Sequence, residues 1–220
     1  MSAPVRGVDV SSWQHPEGRA IDWEKAKGAG YHFALVKASQ GTGYVNQWVA
    51  HDLDSARAAG LLVGAYHYFE ANQPAEQQAS HFLSCLVGQD LGLGVWLDWE
   101  CYEPVQFAHS VEINSFLATV REARPTCGVY CDESWAEQLK KDNVPFGRLW
   151  LAVDSDTVPK AGQYMTQLAA GPVAGIEGDV DIDVLANTRG VDIPTSPAPR
   201  ATEDQVAAVR AAADEPEPEA

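Results

Sequence analysis

Along the chain, short segments rich in β-branched, aromatic and other apolar residues recur at regular intervals: GVDV (7–10), HFALVKA (32–38), LLVGAYHY (61–68), GVWLDWE (94–100) and CGVYCD (127–132). Between them lie stretches with helical spacing: WEKAKGAG (23–30), WVAHDLDSARAAG (48–60), PAEQQASHFLSCLVG (74–88) and VQFAHSVEINSFLATVREA (105–123). In the second of these, Ala50, Leu53, Asp54, Arg57 and Ala58 recur with a helical period, and Gly60 falls where a C-terminal cap belongs. Strand, helix, strand repeated four times predicts a parallel sheet with helices outside it.

Near residue 150 the spacing shortens. RLWLAV (148–153), YMTQL (164–168) and DVDIDV (179–184) follow one another too closely for a crossover helix in each gap. The predicted fold class is therefore α/β: a modified β/α (TIM-like) barrel of eight strands, with regular β/α units in the first five and few helices in the last three. A single barrel domain is expected over 1–193. From Pro194 the composition changes to five prolines and six acids with almost no large apolar residue. Such a segment cannot bury enough surface to offset its ordering, so 194–220 is predicted to be a flexible tail.

The length, 220 residues, suits one barrel, and 45% hydrophobic with 21% charged residues is a globular balance. The net charge of -16 repels nucleic acid and anionic membrane, so neither is expected as a partner. The first residues, MSAPVRGVDVSSW, lack the basic start and apolar stretch of a secretory signal, and the apolar runs are too short to span a bilayer. Synthesis in the cytoplasm and a monomer without stable membrane insertion are the expectations. Cys85, Cys101, Cys127 and Cys131 form no CxxC pair, so neither a metal site nor a cofactor is expected. On one strand, Cys127 and Cys131 would stand roughly 13 Å apart at about 3.3 Å per residue, too far to bond. Free buried thiols are expected, with a Cys85–Cys101 bridge as the alternative.

One short stretch carries the chemistry. In VWLDWECYE, Asp98 and Glu100 project from one face of an apolar strand while Leu97 and Trp99 face the other way. Two acids there are costly unless used, and acids at the carboxyl ends of barrel strands read as catalytic. Asp9 in GVDVSSWQ and Asp181 in DVDID fall at comparable places, and closing the barrel should bring them together. Clustered carboxylates share protons, which keeps one acid protonated to donate to a leaving group while its neighbour stays ionised. Glycosidic bond cleavage suits that arrangement best. Each acid also has a plainer account: an Asp at a strand end is often a turn or helix cap, and DVDID alone could be a metal-binding or merely solvated strand. Tyr66, Tyr68, Trp99, Tyr102, Tyr130 and Trp150 sit at or near strand ends, where rings stack on sugars and hydroxyls bond their edges. Trp99 has core parity, and His67 is expected to be structural.

GVDVSSWQ, KASQGTGYVNQ, AGLLVGAYHY, WLDWE, GVYCD, LWLA, TQL and DVDID come in an order that resembles glycoside hydrolase family 25, the lysozymes of bacterial peptidoglycan, over residues 7 to 185. The resemblance implies Glu100 as general acid, Asp98 as the carboxylate that orients or stabilises the reacting centre, and Asp9 and Asp181 as supporting acids. It implies Tyr66, Tyr130 and Gln167 as substrate contacts, with Tyr68, Trp150 and Gln40 as further binding candidates. It implies peptidoglycan glycan strands as partner, cleaved at the β-1,4 bond after N-acetylmuramic acid. The lack of a signal on such a chain resembles a phage endolysin, released through a separate pore or carried on a particle. Two motifs depart from the family's pattern. Gln40 stands in KASQG where the family commonly has Glu, and Thr166, Gln167 and Leu168 stand where it usually reads WQY. The first departure keeps open a catalytically weak wall-binding module; a glycosidase of another N-acetylated polysaccharide, such as chitin, is the other alternative.

Overall fold

A computed structural model of the chain describes residues 5–100, 110–153 and 164–186. Its strands are β1 (Val5–Val10), β2 (Tyr31–Gln40), β3 (Tyr44–Val45), β4 (Leu62–Tyr68), β5 (Gly94–Asp98), β6 (Cys127–Cys131), β7 (Arg148–Ala152), β8 (Met165–Gln167), β9 (Gly171–Pro172) and β10 (Asp179–Leu185). Eight of them close a barrel in the order β1, β2, β4, β5, β6, β7, β8, β10, because β1 bonds both β2 and β10. β3 folds back on β2 as a hairpin, and β9 pairs with β10. The helices are α1 (Trp23–Gly28), α2 (Val49–Ala58), α3 (Ala75–Ser84), α4 (Ser110–Ala123) and α5 (Glu133–Lys141).

The eight-stranded modified barrel expected from the spacing is the fold, with a helix after each of the first five barrel strands. The fifth, α5, starts at an Asp132 cap whose side chain accepts from the Trp135 amide. Within α2 the buried face is Val49, Asp52, Leu53 and Ala56, one residue off the stripe read from the pattern. Gly60 does close that helix, at φ +84° with its amide on the Arg57 carbonyl. The start of the fourth predicted helix, the residues Cys101 and Tyr102, and the tail all lie outside the described residues. Cys85, Cys127 and Cys131 are free thiols, the latter two pushed by burial up to about 12.

Pairing is parallel from β1 through β2, β4, β5, β6 and β7 to β8, but β10 runs antiparallel to both β1 and β8. The segment between β8 and β10 is too short for a helical crossover, so the chain returns the opposite way.

Strand parity divides two apolar layers. Ala34, Val36, Val95, Leu97, Val129 and Leu151 point outward against Leu53, Phe82, Phe116, Leu117 and Leu139 of the helices. Phe33, Leu35, Trp96, Trp150 and Met165 fill the barrel itself. Glycines make room for the large inner side chains: a Cβ on Gly7 would lie 2.2 Å from the Phe33 ring, and one on Gly128 2.4 Å from Trp96. The lower barrel is thus a packed plug, and among the described residues the barrel opens toward the carboxyl ends of the parallel strands.

Candidate active site

That open end is a cavity of about 440 Å³ lined by Asp9, Ser11, Trp13, Lys37, Tyr66, Tyr68, Asp98, Glu100, Tyr130, Trp150, Gln167 and Asp181. The inward parity of Trp96 continues to Asp98 and then Glu100, while Leu97 and Trp99 pack outward; Trp99 lies on Trp135 with ring centroids 4.5 Å apart. Asp98 is buried and Glu100 half-buried at the opening.

Across the cavity, Asp9 and Asp181 face each other in register on β1 and β10. Asp9 is held from two sides. Gln167 Nε2 donates to its Oδ2 at 2.8 Å, and the Tyr66 hydroxyl to its Oδ1 at 3.4 Å. Gln167 is itself oriented by the Tyr130 hydroxyl, which donates to Gln167 Oε1 at 2.6 Å. The order Tyr130, Gln167, Asp9 therefore fixes which end of the amide meets the acid. Two register steps below, Asp183 lies opposite Gly7, fully buried, and accepts from Trp150 Nε1 at 2.8 Å.

Burial in a cluster of like charges raises these carboxyls. Asp9 is pushed up to about 7, by burial first and then by Asp181 and Glu100, against the hydrogen bond from Gln167. Asp183 is pushed well up by burial and by Asp9, with the Trp150 N–H pulling the other way. Asp98 is raised by burial and by Glu100, opposed by the Lys37 ammonium. Asp181 is raised by burial and then by Glu100. Such a cluster keeps protons near neutral pH, and they belong to the group rather than to single residues. Asp98 Oδ1 is buried without a hydrogen-bond partner among the described residues.

The sequence-predicted residues are distributed as follows. Asp98, Glu100, Asp9, Asp181, Tyr66, Tyr68, Tyr130, Trp150 and Gln167 all line the cavity. Trp150 is only 1% exposed, with its ring against Tyr66 and Tyr130, so it forms the floor rather than a free stacking face. Gln40 stands behind Lys37, outside the lining, and accepts from Lys37 Nζ at 2.8 Å. His67 is structural: Ser39 Oγ lies 2.8 Å from its Nδ1, Gln78 Oε1 3.2 Å from its Nε2, and burial lowers its pKa to about 3.

Four contributors were not singled out from the sequence. Asp183 has the same two-residue spacing from Asp181 that marked Glu100 from Asp98, and that spacing was the available signal. Lys37 lies in the quoted KASQG motif. Ser11 and Trp13 lie in GVDVSSWQ, where the Ser11 side chain caps a 3-10 turn (Ser12–Gln14) and presents Trp13, 87% exposed, at the rim. A bare Trp looks like core in a sequence, and its exposure is visible only once the turn is placed.

A closed barrel with acids gathered at one end defines a family. Residues 8–170 match the model of Glycosyl hydrolases family 25, and the chain belongs to that family. It is 32% identical over 201 residues to Lysozyme M1 of Streptomyces globisporus, covering 80% of this chain and 66% of that protein. It spans 55% of the length of a second curated lysozyme that it matches. Among solved structures, the bacterial lysozyme of Streptomyces coelicolor superposes with a TM-score of 0.70 at 26% identity, covering 85% of this chain and 94% of that one. The catalytic domain of an endolysin from a bacteriophage of Listeria monocytogenes has the same fold, with a TM-score of 0.71 at 20% identity over 87% and 97% of the two chains.

Proposed function

We propose that the chain is a muramidase, hydrolysing the β-1,4 bond between N-acetylmuramic acid and N-acetylglucosamine in peptidoglycan. The observation that carries this reading is the Asp98–Glu100 pair, at the end of β5 and just beyond it, with both residues lining the cavity. Glu100, the member nearer the opening, donates a proton to the glycosidic oxygen as the C1–O bond breaks. The Asp98 carboxylate beneath it stabilises the positive charge that develops at C1 and the ring oxygen. Water then adds to C1, and its proton returns to Glu100. Asp9 and Asp181 close the opposite wall, while Tyr66, Tyr130 and Gln167 offer hydroxyl and amide groups to the sugar. Family membership and the 32% identical lysozyme support the substrate class.

Purified protein incubated with peptidoglycan should release new reducing ends, identified by mass spectrometry as N-acetylmuramic acid. N-acetylglucosamine ends would make it a glucosaminidase. Digestion of chitin oligomers without any effect on peptidoglycan would replace the substrate altogether. A setting in phage lysis belongs to the same proposal: cells expressing the protein should lyse only once a pore-former opens the membrane. Lysis without one would remove that part.

A further inference from the structure

β2 carries an extra residue beside the cavity. Lys37 stands opposite Tyr66 and Ser39 opposite His67, so Ala38 has no partner on β4 and the strand bulges there. Up to the bulge, Phe33, Leu35 and Lys37 share the inner face. Beyond it, Ala38 packs in the outer layer and Ser39 bonds the outer-layer His67. Gln40 thereby returns to the side of Lys37, and its Oε1 accepts from Nζ at 2.8 Å. The other end of the same amide donates to Glu70 Oε1 at 2.5 Å, which fixes its orientation.

Glu70 is fixed in turn. Its amide donates to Gln78 Oε1 and its carbonyl accepts from Gln78 Nε2, both at 2.8 Å, and Gln78 is fully buried. The Lys37 ammonium also stands 4.6 Å from the Tyr68 ring centroid and 5.9 Å from that of Tyr44. The charged groups that act on it are Asp98, Glu100 and Glu70.

We propose that Glu70, acting through Gln40, is a positioning residue for Lys37, and that this relay keeps the ammonium beside Asp98 and Glu100 as the countercharge of the acid pair. The catalytic consequence rests on the muramidase reading; the electrostatic one does not. A lysine stem has four rotatable bonds and would otherwise spread its charge toward solvent. A neutral amide at position 40 passes Glu70's pull to Nζ without setting a second carboxylate directly on it, which would draw the ammonium away from Asp98.

Glu70→Ala is the decisive variant, because it removes the carboxylate while the backbone bonds to Gln78 remain. The readout is the titration of Asp98 followed by carboxyl ¹³C NMR, with Lys37, Glu100, Asp9 and Tyr66 as the groups acting on it. Its midpoint should rise in Glu70→Ala and Gln40→Met and most in Lys37→Met, and stay near wild type in Lys37→Arg. On peptidoglycan, kcat near pH 6 should fall by about tenfold in Glu70→Ala, the factor that 1.36 kcal/mol represents, with KM little changed. A midpoint unmoved in Glu70→Ala and Gln40→Met overturns the relay. Midpoints that move as expected while the wild-type protein releases no muramic ends support the relay and refute the muramidase reading.

Discussion

Two carboxylate pairs with identical spacing stand at the cavity, Asp98 and Glu100 leaving β5 and Asp181 on β10 with Asp183 buried beneath it. β5 climbs toward the opening, so its first acid lies deep and its second near the mouth. β10 runs the other way, so Asp181 is the outer member and Asp183 the inner one. The inner acids then differ in company. Asp98 has an ammonium beside it, whereas Asp183 has an indole N–H and other acids. Burial raises both carboxyls; at Asp98 the ammonium pulls against it, and at Asp183 a neutral N–H does. Equal spacing thus gives two inner acids that are both raised by burial but opposed by different groups, a cation at Asp98 and an indole N–H at Asp183.

The contrast can be broken most sharply at the mouth. Glu100→Gln should lower kcat/KM on peptidoglycan by about 10² to 10⁴, the usual worth of a general acid. Asp181→Asn, at the matching position, should cost far less, and equal losses would erase the distinction between the pairs.

Among the inner acids, Asp98→Asn should cost about 10² or more, as removal of a charge that stabilises a transition state does. Asp183→Asn keeps a neutral group whose oxygen can still accept from Trp150. Its loss should stay within about tenfold, or 1.36 kcal/mol of barrier. A larger drop in the same turnover assay would give Asp183 a charged role.

The smallest effect concerns stability. Asp9 is raised from 3.8 to about 7, so between those values the folded chain holds a proton that the unfolded chain has released. Stability should therefore fall as pH rises from about 4 to about 7, by at most about 1.4 kcal/mol per pH unit from this group. Asp98 and Asp183 act in the same direction. Urea midpoints measured from pH 4.5 to 7.5 should show the decline, and Asp9→Asn should flatten it. A rise in wild-type stability across that window would contradict the buried, protonated cluster.

Much of this was readable in the residues themselves. Short β-rich segments and their spacing placed all eight barrel strands, the parity of Asp98 against Leu97 gave the inward face, and barrel closure set Asp9 beside Asp181. What such segments cannot carry is direction. Nothing local in DVDIDV distinguishes a parallel from an antiparallel strand, so the depth order of Asp181 and Asp183 stayed hidden. A bulge is a single unpaired residue, and Ala38 looks like any other strand alanine. Lys37, Gln40 and Glu70 become neighbours only because β2 slips by one against β4.

The antiparallel closing strand also sets a timetable. β10 completes the barrel by pairing with β1, with Leu185 opposite Val5, a contact between distant parts of the chain that cannot form early. During synthesis, Asp9 of β1 and the acids of β5 emerge before Asp181 and Asp183. The carboxylate cluster is armed by the last barrel strand to arrive, and its chemistry begins only after the ribosome has delivered it.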